Sequence, residues 1–279
     1  MKKNAIIILL FCTLGMISCD KIQGPYLSSD DSVNTDVEFP DLDTAAVFRA
    51  LLLEEYTGHR CNNCPNGHRE VENLLQTFGD TLIPISIHAG FLANPNSSFP
   101  MDFRTEEGTQ LYNDFQLGGT PRGIANRVAT VLEVNQWRDS LQNADRHCIA
   151  AIQLINQFDA STSKLKVHTK TTLLDSYENP VKLVIYITED HIIAPQLDGE
   201  ATIPDYEHMH VLRGSVNGVY GANISENGTV EKGMSYTKSY EVDCSGKNWN
   251  PANCSVVAFL TDADTKTVLQ VAKLPLINE

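Results

Sequence analysis

The chain has 279 residues, 42% of them hydrophobic and 20% charged, with a formal net charge of −14 at pH 7. That length accommodates two ordinary domains. An acidic balance without a basic run excludes a nucleic-acid binder held by phosphate contacts.

The first 18 residues read as a targeting segment. Lys2 and Lys3 precede an apolar run, Ala5 to Leu14, that is too short to span a bilayer. Met16-Ile17-Ser18-Cys19 resembles a lipobox, which makes Cys19 the expected lipidation site. The membrane, reached through that lipid, is then the first expected partner. Cleavage before Cys19 removes two lysines and no acid, taking the charge from −14 to −16. An exported chain meets an oxidising compartment, so Cys61, Cys64, Cys148, Cys244 and Cys254 are free to form disulfides. Their number is odd, so at least one stays unpaired within the chain.

Residues 19–42 are polar and acidic and read as a tether. A buried strand is expected over 50–57, closed by Thr57-Gly58. Beyond Cys61 and Cys64, Val71, Leu74, Leu75 and Phe78 mark one face of a helix that Gly79 ends. Leu82 to His88 is a second strand, and Pro84 hints at an irregular start or an edge. Residues 89–103 have no period and read as a surface excursion beside the cysteines. A short helix follows over 104–115, then a Gly118-Gly119-Thr120-Pro121 turn. The spacing of Val134, Trp137, Leu141, Ala144, Cys148, Ile152 and Ile155 predicts one longer helix, with Cys148 as a buried, unreactive thiol. After Phe158, short alternating runs predict antiparallel strands. The division is therefore 43–160 and 161–279.

A C-x-x-C at a strand-to-helix junction suits thiol–disulfide chemistry, because the helix N-terminus favours a thiolate and the spacing lets a second thiol resolve the first. Arg60 beside Cys61 adds a positive charge. A static disulfide, or a zinc site using His68 with His59 or His88, fits the same residues. Pro65 after Cys64 excludes covalent haem. Cys244 and Cys254 bracket a strand-connecting loop and are expected to form a structural disulfide. His208-Met209-His210 reads as solvated strand positions. No cofactor is required and no metal is assigned.

The order strand, C-x-x-C, helix, strand, helix, Thr-Pro turn, strand, helix resembles a thioredoxin-like domain. That resemblance implies Cys61 as nucleophile, Cys64 as buried resolving thiol, Glu55 as proton relay and Thr120-Pro121 as the substrate-aligning loop. His59-Arg60 before Cys61 and Pro65 after Cys64 depart from the usual pattern. The wider set of Glu54-Glu55-Tyr56-Thr57-Gly58, Cys61-Asn62-Asn63-Cys64-Pro65, His88-Ala89-Gly90, Trp249-Asn250-Pro251 and Val256-Val257-Ala258-Phe259-Leu260 is similar to Bacteroidota outer-membrane lipoproteins related to the twenty-eight-kilodalton outer-membrane antigen. It implies an α/β thioredoxin-like domain followed by an all-β antiparallel sandwich domain, in the cell envelope at the outer membrane. Cysteine-containing envelope proteins are the expected partners if the pair turns over. A host surface ligand is expected if the protein is an adhesin and the pair a brace.

Overall fold

The computed structural model describes residues 37–128, 130–225 and 228–277. The signal segment, Cys19 and the tether up to residue 36 lie outside the described residues. Strand β1 (Leu51–Thr57) is buried throughout. Its alternation sends Leu51 and Leu53 into one apolar cluster and Leu52 and Tyr56 into another on the opposite face. Helix α1 (Cys64–Phe78) covers the first face with Val71 and Leu74, and Pro65 sits in its first turn, where no intrahelical N–H is needed. Gly79, at φ +54°, ends it by donating its N–H to the Leu75 carbonyl. Strand β2 (Leu82–His88) lies parallel to β1. Helix α2 (Glu106–Asp114) is capped by Thr105, whose hydroxyl accepts from the Gly108 N–H. Strand β3 (Arg122–Ala125) follows a cis Thr120–Pro121 bond and runs antiparallel to β1, and helix α3 (Trp137–Gln142) completes the first face.

The single helix expected from Val134 to Ile155 is not formed. The helix stops at Gln142, and Ala150–Asp159 is strand β4, paired along its length with β5 (Lys164–Leu173). Ile152, Leu154, Asn156 and Phe158 satisfy a period of two as well as Ile152 and Ile155 satisfy the helical one, and the ladder to β5 decides between them. The change in texture near 158–163 is thus the turn of this hairpin.

The later strands are β6 (Val181–Glu189), β7 (Ile192–Asp198), β8 (Ala201–His208), β9 (Val211–Ser215), β10 (Ala222–Asn223), β11 (Ser235–Asp243), β12 (Cys254–Asp262) and β13 (Val268–Pro275). One mixed sheet runs β13-β12-β6-β9-β2-β1-β3, with β10 also on β6, so the strands of the two halves share a single sheet. The join is narrow. β2 meets β9 at Ser86↔Val211, where the Ser86 N–H donates to the His210 carbonyl at 2.7 Å. Pro84 precedes this contact, on the stretch of β2 that has a neighbour on the β1 side only. A three-stranded sheet, β11-β5-β4, lays Leu165, Val167, Tyr240 and Val242 against Ile185, Val256 and Ala258 of the large one. The β7–β8 hairpin stands apart as its own two-stranded sheet. Among the described residues no helix is long and apolar enough to cross a membrane.

Candidate functional site

Cys61 and Cys64 are joined in a disulfide with Cα atoms 5.4 Å apart, at the start of α1. Both are inaccessible, at 2% and 0% exposure. The Thr120 carbonyl oxygen lies 3.6 Å from Cys61 Sγ, so the turn before β3 faces the sulfur. Arg60 does not turn toward the sulfurs. Its guanidinium donates to the Asn94 carbonyl at 3.2 Å and stacks on Phe91, and its own N–H donates to the Leu92 carbonyl. That approach leaves no room at Gly58, where a Cβ would fall 2.7 Å from the Leu92 backbone.

The excursion at 89–103 covers one side of the cysteine loop, and the β7–β8 hairpin covers another. The Leu197 N–H donates to the His59 carbonyl and the Gly199 N–H to the Asn62 carbonyl, each at 2.9 Å. Gln196, fully buried, donates from its side-chain amide to the Cys61 carbonyl at 3.1 Å. Arg69 of α1 clamps Asp198 at 3.0 Å. A segment more than 130 residues downstream therefore closes over the disulfide.

Beneath the helix lies Glu55, fully buried. Its carboxyl presses against the first turn of α1, since a Cβ at Gly67 would meet Oε1 at 2.5 Å and Pro121 at 3.4 Å. Ser86 donates to its Oε2 at 3.2 Å, while among the described residues Oε1 has no hydrogen-bond partner. Desolvation pushes its pKa up to about 8, against the smaller opposing pull of Ser86. The carboxyl is therefore held protonated at neutral pH.

Glu55 also opens onto a cavity of about 290 Å³ shared by α1, β2 and the hairpin. His68 Nε2 sits 2.9 Å from the Thr57 hydroxyl and 3.6 Å from Glu55 Oε1, and its Nδ1 sits 2.7 Å from the Tyr206 hydroxyl. Burial lowers the His68 pKa to about 3 and that of His208 to about 4, and also holds His88 well below its usual value. These imidazoles are neutral. Phe103 wedges against His88 and His208, with ring centroids 4.5 and 4.6 Å away. His208 is thus a core residue, not the solvated strand position expected. With the two sulfurs bonded to each other, the zinc arrangement is not present, and among the described residues no three His, Cys, Asp or Glu converge as metal ligands.

The model of a family described as outer membrane protein Omp28 matches residues 108–278, more than half of the chain. The chain belongs to the Omp28 family. It is accordingly an outer-membrane protein of the cell envelope. The solved structure of HBP35 of Porphyromonas gingivalis superposes with a TM-score of 0.64 at 15% identity, over 83% of this chain and 76% of that one, which shows a shared fold. A domain of the outer membrane lipoprotein Omp28 from the same organism matches at 24% identity over 46% of this chain and 88% of that domain, with a TM-score of 0.32. A protein from Agrobacterium tumefaciens matches at 13% identity over 82% and 95% of the two chains, with a TM-score of 0.45. No curated protein matches.

In this Omp28-family chain Cys244 and Cys254 are separate thiols, not the structural disulfide expected of them. Both are buried in the same apolar cluster. Burial drives their pKa values up to about 11 and about 12, with Asp243 adding to the first and Glu189 to the second, so both are held as unreactive thiols. Cys148 lies in the loop before β4, not on a helix; its thiol contacts the Ala150 carbonyl, and burial raises its pKa. Sequence reasoning missed Ser86, Gln196 and Tyr206 and weighed His68 only as a zinc ligand. His68 lies four residues after Cys64, one helical turn along, which was the one local signal available.

Proposed function

We propose that this protein is a lipid-anchored envelope thiol–disulfide exchange protein, whose thioredoxin-like front half carries the reactive pair and whose sandwich-like back half supplies its cover. The observation that carries this reading is Glu55, an acid without a cationic partner among the described residues, held protonated beneath the helix that begins at Cys64. Burying such a group costs stability, and a proton store is what it offers in return. In the exchange, a substrate thiolate attacks Cys61 Sγ and the Cys61–Cys64 bond breaks. Cys64 leaves as a thiolate and takes the Glu55 proton. A second substrate thiol, on losing its proton, attacks the substrate sulfur of the mixed disulfide and expels Cys61. Two electrons pass from substrate to protein. Thr120-Pro121 would align an extended substrate against Cys61, and Cys19 would hold the chain on the membrane. With both sulfurs inaccessible, the hairpin must move aside first.

A second reading, in which the disulfide is a permanent brace and the back half binds an envelope or host partner, is favoured by that same burial. Glutathione-buffered equilibration with alkylation mass shifts separates the two. A potential of about −120 to −230 mV supports exchange, and one below about −300 mV supports the brace. A Cys64→Ser variant should also accumulate mixed disulfides with envelope proteins, and a clean non-reducing gel argues for the brace. Cys19→Ala should move the protein out of the membrane fraction.

A further inference from the structure

We propose that His68 and Tyr206 form a proton path between Glu55 and solvent, so that the hairpin covering the disulfide also completes its acid–base chain. This rests on the exchange reading above. The geometry is a line of three groups from three elements. Glu55 lies on β1, fully buried; His68 lies on α1, with Nε2 turned to Glu55 and Thr57; Tyr206 lies on β8, with its hydroxyl on His68 Nδ1 and its ring partly exposed. Imidazole suits the middle position because it accepts at one nitrogen while donating from the other. The Glu55–Nε2 separation of 3.6 Å is just beyond hydrogen-bond distance, so the path requires a small rotation of one of the two side chains.

The proton balance is simple. After Glu55 protonates the departing Cys64 thiolate, the carboxylate takes the Nε2 proton of His68. Nδ1 takes the Tyr206 hydroxyl proton, and water returns one to Tyr206. One proton enters from solvent, and His68 changes tautomer without becoming charged. That suits its surroundings, since burial disfavours an imidazolium there. The charged and titratable groups around the path are Arg69 and Glu72 on α1, Asp198 and His208 on the hairpin, His210 just after it, and His88 on β2. Lifting the hairpin removes Tyr206 from His68, so a substrate-open state has its carboxyl cut off from this route and keeps its protonation state until the cover returns.

The test is the pH–rate profile for reduction of Cys61–Cys64 by dithiothreitol in the full-length protein, comparing wild type with Glu55→Gln, His68→Gln and Tyr206→Phe. Tyr206→Phe keeps the ring of a half-buried residue and removes only its hydroxyl, so it guards against loss of folding in the His68 variant. The expected result is a wild-type inflection near pH 8 that Glu55→Gln abolishes. Tyr206→Phe and His68→Gln should keep that profile for the first reduction but slow repeated turnover, with glutathione disulfide as reoxidant, at least threefold at pH 7, and added imidazole should restore it. Wild-type turnover in both relay variants, alongside a Glu55→Gln defect, would overturn the path and leave the exchange reading standing. A Glu55→Gln profile identical to wild type, or no reduction of the folded protein at any pH, would overturn both.

Discussion

Glu54 and Glu55 are neighbours on one fully buried strand, yet they face opposite sides of the sheet and meet opposite fates. Glu54 faces the core shared by both halves, where Arg127 donates to its two oxygens at 2.6 and 2.9 Å and stacks over Phe259 at 5.0 Å. Burial works hardest against the Arg127 charge, and Glu54, Tyr186 and Tyr56 together outweigh it. Glu55 faces α1, has no cation beside it among the described residues, and answers burial by staying neutral. A buried acid given a cation becomes structure; one denied a cation stays neutral.

Breaking the first side should have the largest effect. Arg127→Ala strands the Glu54 carboxylate and should destabilise the fold by about 3–5 kcal/mol in urea titration, whereas replacing both Glu54 and Arg127 by Met should cost less. On the other side, Glu55→Gln tests the neutral acid. Below about pH 4.5 both states of the wild type are protonated there. As pH rises toward about 8 the unfolded chain ionises and the native state does not, so wild-type stability falls. Between pH 5 and 7.5 the wild type should lose about 3 kcal/mol relative to the Gln variant. Unchanged midpoints in that window would mean Glu55 is not held neutral.

The imidazoles beside Glu55 run the opposite way. His208 is neutral when folded, with its pKa lowered from 6.5 to about 4, so the stability it contributes is present above pH 6.5 and lost as pH falls. His208→Phe should remove about 2 kcal/mol of acid destabilisation between pH 6.5 and 5. The two slopes together place the site's own optimum between the carboxyl's ordinary range and that of histidine. The smallest effect belongs to the cover. Arg69→Ala breaks a half-exposed bridge to Asp198 and should cost under ~1 kcal/mol. It should still raise the rate at which the folded disulfide is reduced by a few-fold, because the hairpin opens more often.

Much of the front half was legible because its signals are local. The apolar run before Thr57, the i, i+3, i+4 face after Cys64, the glycine that ends α1 and the Thr-Pro turn each act within a few residues. Glu55 was singled out by its place in a familiar order, not by its surroundings. The run from Val134 to Ile155 misled because its apolar residues from Ala150 on fit both periods, and only the β5 ladder, out of reach of local pattern, chose the strand there. Cys244 and Cys254 misled for a related reason. Their spacing suited a bridge, but spacing does not say how two buried thiols are oriented.

The amino-acid sequence by itself determined the elements around the cysteine pair, the acidic character of the chain and its family. Each of these rests on residue type and short-range spacing. Only the tertiary structure decided that one sheet joins the halves, that Arg127 and not a nearer residue answers Glu54, and that Gln196, Tyr206 and His208 arrive over Cys61 and His68. Tyr206 and His68 stand 138 residues apart in the chain. Contacts at that separation are set by how whole sheets and hairpins bury their faces, and no local pattern encodes them.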